Sequence, residues 1–142
     1  MPQLKLDIIT QDRQVLSESV DKVSAPAVLG EVTILPGHIP LFTRLDDGIL
    51  KIWQGKAYRE LALVGGFMDV SPGNQVTVMA DSAILAESAS EAKAEQARQK
   101  ALIAMQDKTN DFEFKQAEIS LRKALMELKV ARRKQPQTVP SN

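Results

Sequence analysis

Glycine and proline are distributed so unevenly that they divide this chain of 142 residues into two parts. Turn-forming pairs such as Pro36-Gly37, Gly65-Gly66 and Pro72-Gly73 recur at short intervals up to about residue 85. From residue 86 to residue 135, by contrast, neither glycine nor proline occurs. Because these residues terminate strands and interrupt helices, the sequence predicts short strands in its first part and long helices in its second.

The segments between the turns alternate apolar and polar residues, as half-buried strands do. The alternating apolar positions are Leu4, Leu6 and Ile8; Val32 and Ile34; Leu50 and Ile52; Leu61 and Leu63; and Val76 and Val78. About eight to ten strands of this kind predict an antiparallel β-sandwich or barrel. Pro72 and Gly73 also predict a type II turn over Ser71–Asn74, with Gly73 at positive φ. Trp53 and Phe67 are interpreted as core or edge packing.

Two helices are expected after the strands. Ser88 and Glu91 have the spacing of a capping box, which predicts a first helix running to about Met105. Asn110, followed three residues later by Glu113, predicts the start of a second helix. Small residues of the first helix are expected to face an apolar stripe of near-heptad spacing on the second, in an antiparallel hairpin. The two stripes are Ala89, Ala92, Ala97, Ala101 and Ala104, and Phe114, Ala117, Leu121, Ala124/Leu125, Leu128 and Ala131.

The expected organisation is a β-sandwich domain over 1–86, a helical hairpin over 87–134 and a flexible tail over 135–142. Each helix alone is marginally stable, so the hairpin is expected to be the less stable part and able to dock in more than one place. Residues 1–85 carry seven basic and ten acidic side chains, whereas residues 86–142 carry eleven and eight. A basic hairpin next to an acidic sandwich favours docking on its own domain and also on an acidic partner.

Composition excludes several classes of function. The chain has no cysteine and one histidine, His38, which excludes disulfides, thiol catalysis and multi-histidine metal sites. A formal net charge of zero gives no general attraction to nucleic acid. No apolar run approaches the roughly 18 residues of a membrane helix. We therefore expect no catalytic residue, metal, cofactor or nucleic acid, and membrane association only through a partner. A carboxylate pair for acid–base catalysis stays open, but no motif selects one.

Residues 30–43 read Gly-Glu-Val-Thr-Ile-Leu-Pro-Gly-His-Ile-Pro-Leu-Phe-Thr. This segment resembles the most recognisable segment of the epsilon subunit of F-type ATP synthases. The segments Gly48–Ile52, Gly65–Val70 and Val76–Asp81 are similar to further motifs of that family, in the same order and at matching spacing. The resemblance covers essentially residues 3–134.

The resemblance implies a non-catalytic stalk subunit at the cytoplasmic face of a bacterial membrane. A ten-stranded sandwich would bind the gamma subunit and sit on the ring of c subunits. The assembly would couple ion flow to ATP synthesis. The hairpin would either fold against the sandwich or extend along gamma towards the alpha and beta catalytic subunits and inhibit ATP hydrolysis.

The resemblance also implies roles for individual residues. Those matching the gamma and c-ring interface are Glu31, Pro36, Gly37, His38, Pro40 and Leu41. Those matching the inhibitory contact with beta, by position and charge, are Arg122, Lys123, Lys129, Arg132 and Arg133. An ATP site found in some members is degenerate here at Ser90, Lys93 and Glu127, so no ATP binding is expected.

Other interpretations stay open on the residues alone. His38 is also typical of a surface turn histidine with local hydrogen bonds, and the basic side chains are also typical of a solvated helix face. The alternative function, from a different class, is a small-ligand-binding β-sandwich whose helical hairpin mediates dimerisation. An enzyme is the third hypothesis.

Overall fold

The computed structural model describes residues 2–134, and within them ten strands precede two helices. The strands are β1 (Leu4–Ile9), β2 (Gln14–Val20), β3 (Lys22–Ala27), β4 (Gly30–Ile34), β5 (Leu41–Arg44), β6 (Gly48–Gln54), β7 (Ala57–Val64), β8 (Phe67–Ser71), β9 (Gln75–Met79) and β10 (Ser82–Leu85). A 3₁₀ turn over Ala86–Ser88 leads to α1 (Glu91–Ala104) and α2 (Asp111–Lys134). The predicted fold class, a β-sandwich followed by a helical hairpin, is confirmed. The predicted tail, 135–142, lies outside the described residues.

The strands form two five-stranded sheets. The first sheet has the order β2-β1-β9-β8-β5 and the second has the order β10-β7-β6-β3-β4. All strand pairs are antiparallel among the described residues except β1 with β9, which is parallel. The predicted antiparallel sandwich therefore contains one parallel pair, β1 with β9. β2 pairs with one edge of β1, so the other edge of β1 is free for β9. The chain passes through the second sheet before it returns to the first, and β9 then runs in the same direction as β1.

The core lies between the two sheets and follows the predicted alternation. Leu4, Leu6 and Ile8 of β1 face Leu50 and other apolar residues of the second sheet, and all four are almost completely buried. Period-two alternation is what a strand with one buried face requires. The polar positions between these residues therefore lie on the outer face of the first sheet.

The turn between β8 and β9 has the predicted backbone at Gly73, whose φ is +85°. Asn74 is also left-handed, with φ of +63°. Its side-chain Oδ1 accepts a hydrogen bond from the Gly37 amide at 2.7 Å, which ties this turn to the loop after β4. Asparagine tolerates the left-handed region better than most residues, which suits it to this position.

The start of α1 differs from the prediction. Ser88 lies in the 3₁₀ turn, and Ser90 is the cap, with its Oγ accepting from the Lys93 amide at 3.2 Å. The Glu127 carboxylate of α2 accepts from the Ser90 amide at 3.0 Å, so a contact across the hairpin supplies what a local capping box would have supplied. The predicted cap of α2 is confirmed, because Asn110 Oδ1 accepts from the Glu113 amide at 3.1 Å.

The packing of the helices corrects the predicted stripes. In α1 the buried alanines are Ala94 and Ala101, whereas Ala92, Ala97 and Ala104 are exposed. In α2 burial extends beyond the predicted stripe to Met126 and Val130. The reason is that α2 packs against two neighbours, α1 on one side and the second sheet on the other, so one stripe does not describe it. The second of these contacts positions the candidate site.

Candidate functional site

The hairpin lies on the outer face of the second sheet. Ile49 of β6 and Ala62 and Val64 of β7 point away from the sandwich core and pack against Met126 and Val130 of α2 in a separate apolar cluster. We call these five residues the docking interface. Strands with apolar residues on both faces indicate that both faces are covered. Here the inter-sheet core covers one face and α2 covers the other.

One ion pair flanks the docking interface on each side. Arg122 donates to both carboxylate oxygens of Asp47, at 2.9 and 2.7 Å, and Arg133 donates to both oxygens of Glu60, at 3.0 and 2.6 Å. Two parallel hydrogen bonds from one guanidinium give directional as well as electrostatic attraction. The docked hairpin is therefore positioned by charge at both sides of a small apolar contact.

Each carboxylate has a second partner within the sandwich. Asp47 accepts from the Gly65 amide at 2.9 Å, and Glu60 accepts from the Tyr58 hydroxyl at 2.7 Å. The hydrogen bonds from Arg122 and Arg133 are the main reason that the pKa values of Asp47 and Glu60 lie below their usual range. Burial, together with the bond to Glu60, raises the pKa of Tyr58 to about 12. Both carboxylates are thus charged acceptors that bind a donor of the sandwich as well as an arginine of α2.

Acid is expected to weaken docking of the hairpin. Asp47 and Glu60 have folded-state pKa values below the ordinary 3.8 and 4.5, so their stabilising contribution is complete at neutral pH and is lost as the pH falls through those lowered values. The arginines stay charged throughout. Fluorescence of Trp53, the chain's single tryptophan, should therefore change below about pH 4 at constant ionic strength. Glu60→Gln should reduce the amplitude of this change, and an identical titration in that variant would contradict the role of Glu60.

The five predicted inhibitory residues are divided among three environments. Arg122 and Arg133 are paired with the sandwich as described, and Arg132 pairs with Glu91 of α1 at 3.2 Å. Lys123 and Lys129 are exposed. In the docked hairpin, two of the five predicted residues therefore bind the sandwich. Their acceptors, Asp47 and Glu60, were not predicted from the sequence. On its own, the sequence Asp46-Asp47-Gly48 indicates only a turn between two strands. The apolar residues of β6 that follow it are the one signal that another element covers this face of the sheet.

The structure separates the predicted gamma and c-ring residues into two groups. Pro36, Gly37, His38, Pro40 and Leu41 lie in or next to the loop between β4 and β5. His38 Nδ1 donates to the carbonyl of the next residue at 2.6 Å, so its side chain is held locally.

Glu31 lies near the other end of β4, roughly 13 Å along the strand from Leu35 at about 3.3 Å per residue. Its carboxylate accepts from Lys51 at 3.4 Å. Glu31 and the loop that carries His38 therefore belong to opposite ends of the sandwich.

An exposed apolar surface on the first sheet was missed by sequence reasoning. The rings of Phe42 and Phe67 stack with centroids 5.5 Å apart and planes 20° apart, and Met79 lies opposite Phe67 on β9. Phe42 is 62% exposed and Phe67 is 41% exposed. We call Phe42, Phe67 and Met79 the aromatic face. Exposed aromatic pairs of this kind are typical of protein interfaces rather than of free surfaces.

The residues of the degenerate ATP motif are engaged in the hairpin itself. The Ser90 side chain caps α1, and the Glu127 carboxylate accepts a hydrogen bond from the Ser90 amide. Lys93 is exposed on the first turn of α1. A carboxylate therefore occupies the helix N-terminus, where a phosphate would otherwise find free amide donors. Among residues 2–134 no group of three or more metal-ligating side chains lies close together, and no helix has the length and apolar character to cross a membrane.

Comparisons with known proteins match nearly the whole chain. The family described as ATP synthase, Delta/Epsilon chain, beta-sandwich domain matches residues 3–86, and ATP synthase, Delta/Epsilon chain, long alpha-helix domain matches residues 90–132. The ATP synthase epsilon chain of Herpetosiphon aurantiacus is 46% identical over 91% of this chain and 94% of its own length. That of Dehalococcoides mccartyi is 46% identical over 96% of this chain and 99% of its own.

Structural similarity points to the same family. A chain in the cryo-EM structure of the Euglena gracilis mitochondrial ATP synthase, OSCP/F1/c-ring in rotational state 1, has a TM-score of 0.68 and 26% sequence identity. The match covers 92% of this chain and 81% of that chain.

Proposed function

The chain belongs to the family of ATP synthase epsilon chains, and from this we propose that it is a non-catalytic subunit of the central stalk of an F-type ATP synthase. It couples ion-driven rotation to ATP synthesis, and its hairpin inhibits ATP hydrolysis. The sandwich, 1–86, binds partners, and the hairpin, 87–134, regulates. The subunit sits peripherally at the cytoplasmic face of a bacterial membrane and reaches the membrane only through the complex.

The observation that supports regulation by the hairpin is the way it docks. The docking interface belongs to a cluster of seven buried residues, which also includes Ala89 and Ala131, and two half-exposed arginines flank it. The Arg122 and Arg133 side chains are 41% and 47% exposed, although Asp47 and Glu60 are only 25% and 11% exposed, so water screens each pair in part and each contributes on the order of 1 kcal/mol. Such a contact holds the hairpin and still allows release. Arg122 and Arg133, once released, are free for the acidic surface of beta, together with Lys123, Lys129 and Arg132.

The free surfaces of the sandwich support two partner contacts. The aromatic face is an exposed apolar surface on the first sheet, whereas the hairpin covers the second sheet, and we assign the aromatic face to the gamma subunit. The loop with Pro36, Gly37, His38, Pro40 and Leu41, and Glu31 at the other end of β4, contact gamma and the polar loops of the c ring. The alternative of a small-ligand-binding sandwich with a dimerisation hairpin gains no support, because the apolar face of α2 packs on its own sandwich.

Removing the hairpin is expected to raise ATP hydrolysis. An enzyme whose subunit lacks residues 88–142 should assemble with alpha, beta and gamma, because the residues of the aromatic face and of the β4–β5 loop all precede residue 88. Its hydrolysis rate should rise several-fold, because the basic face of α2 is gone. Purification from membranes followed by an ATPase assay measures both. An unchanged rate with intact assembly would contradict the inhibitory role, and loss of assembly would contradict the assignment of partner binding to the sandwich.

The isolated chain is expected not to bind ATP usefully. Lys93 lacks the fork geometry that binds phosphate in a bidentate manner, and Glu127 places a carboxylate beside the α1 N-terminus. Calorimetric titration of the full chain with ATP should show no dissociation constant below roughly 1 mM. A matched titration of Glu127→Gln tests whether the negative charge is the main obstacle. Submillimolar binding by the wild-type chain would contradict the prediction.

A further inference from the structure

The loops at one end of the sandwich are tied to each other by two hydrogen bonds. The Leu45 amide donates to the carbonyl oxygen of Gly66 at 2.8 Å, and the Gly65 amide donates to Asp47 Oδ1 at 2.9 Å. The same Oδ1 accepts from Arg122 of α2 at 2.7 Å. One carboxylate therefore connects the β5–β6 loop, the β7–β8 turn and the docked helix.

These two loops adjoin the two strands that carry the aromatic face. β5, with Phe42, ends at Arg44 just before the first loop, and Phe67 begins β8 just after the second. In the register of the sheet Arg44 lies opposite Phe67. A shift of either loop would thus be transmitted through one or two peptide units to the stacked rings.

The β7–β8 turn has little room to adjust. Gly65 and Gly66 have φ of +58° and +110°, which side chains rarely adopt. A Cβ atom at Gly65 would lie 2.8 Å from Asp81 Oδ2, and one at Gly66 would collide with the carbonyl oxygen of Met79. Backbone packed this closely does not deform gradually when one of its fixed contacts is lost.

We propose that Asp47 couples docking of the hairpin to the conformation of the aromatic face. When Arg122 is bound, it neutralises Asp47 and holds Oδ1 towards the Gly65 amide. Asp81 also lies beside Gly65 and the Arg122 guanidinium, so when the hairpin leaves, the negative charges of Asp47 and Asp81 lose this shared cation, and repulsion and hydration draw Asp47 away from the Gly65 amide. The docked hairpin therefore pre-organises the aromatic face for its partner.

The coupling must act in both directions. A partner that binds the ordered aromatic face strengthens docking of the hairpin by the same factor by which docking strengthens its own binding. The identity of that partner rests on the proposed function, which assigns it to gamma. The link through Asp47 within the chain does not depend on that assignment.

Amide hydrogen exchange of the full chain, resolved by residue, tests the coupling. Arg122→Gln removes the contact directly, and Val130→Asp detaches the hairpin without altering Asp47, Gly65 or Leu45. In both variants the Gly65 and Leu45 amides should exchange at least about fivefold faster than in the wild type, since each loses a fixed hydrogen bond. Leu125→Asp, which adds the same charge at an exposed position of α2, should leave these two amides unchanged.

The outcomes separate this inference from the proposed function. Unchanged exchange at Gly65 and Leu45 in Val130→Asp, while the α2 amides near Val130 exchange faster, would overturn the coupling. Unchanged exchange at Gly65 in Arg122→Gln would overturn it as well. Because the measurement uses the chain alone, failure of the aromatic face to bind gamma would count against the proposed function only.

Discussion

Val130→Asp is expected to detach the hairpin from the sandwich. The Val130 side chain is completely buried, and it packs in the cluster that includes Ile49, Ala62 and Val64. A carboxylate there would have no cationic partner within the cluster, and burying it would cost on the order of 3 kcal/mol or more. That exceeds what two partly exposed ion pairs contribute, at about 1 kcal/mol each. The hairpin is therefore expected to leave the sheet while the sandwich stays folded.

Fluorescence and exchange can both detect this release. The ring centroids of Trp53 and Tyr58 lie 5.2 Å apart, and the Tyr58 hydroxyl donates to Glu60. Glu60 also accepts from Arg133, so the fluorescence of Trp53 should change when Arg133 leaves. Leu125→Asp is the matched control, because Leu125 is 45% exposed on the same helix. Wild-type protection of the α2 amides in Val130→Asp would contradict the prediction.

Released hairpins should also change the assembled enzyme. If the docked position keeps the basic face of α2 from the catalytic subunits, Val130→Asp should lower the rate of ATP hydrolysis, opposite in sign to deletion of residues 88–142. The same enzyme with Leu125→Asp should hydrolyse ATP at the wild-type rate. A higher rate in Val130→Asp would contradict inhibition by the released hairpin.

Gly66→Ala is expected to destabilise the sandwich strongly. The residue has φ of +110°, and an added Cβ would meet the backbone of Met79 and Ala80 rather than the end of a flexible side chain. Backbone atoms cannot turn aside as the end of a side chain can, so the collision adds to the cost of the positive φ and the free energy of unfolding should fall by about 3 kcal/mol or more. Urea unfolding monitored by circular dichroism measures this change.

Gly73→Ala separates the two causes of that loss. Gly73 also has positive φ, +85°, but nothing lies within 4 Å of the position that a Cβ atom would take there. The variant should therefore lose only the cost of the backbone conformation, roughly 1 to 2 kcal/mol. Equal losses in the two variants would show that the collision at Gly66 is relieved by small movements.

Local signals predicted the parts of the fold that depend on local chemistry. Leu4, Leu6 and Ile8 alternate because one face of β1 is buried, and Asn110 caps α2 through an amide only three residues away. The predicted start of α1 was wrong because two serines compete there. The choice of Ser90 over Ser88 coincides with the bond from its amide to Glu127, 37 residues later, which no local pattern contains.

For the candidate site, the sequence predicted the basic residues that bind the sandwich but not the acidic residues that accept them. The excess of basic residues after residue 86 indicated docking on the acidic sandwich, and Arg122 and Arg133 were already candidates for an acidic contact. Asp47 and Glu60 could not be chosen among the acidic residues, because the choice depends on where α2 crosses the sheet. Phe42 and Phe67 are 25 positions apart in the chain, and only the β5–β8 pairing stacks them.

The parallel pairing of β1 with β9 has a consequence for the order in which the chain folds. Lys5 of β1 lies opposite Gln75 of β9, so β1 is made long before its second neighbour exists. Contacts of such long sequence separation slow folding. Ile49, Ala62 and Val64 emerge from the ribosome earlier than Val130 and stay uncovered until α2 is made. Docking of α2 therefore also covers, after the strands of the sandwich have been made, an apolar surface that would otherwise be open to aggregation.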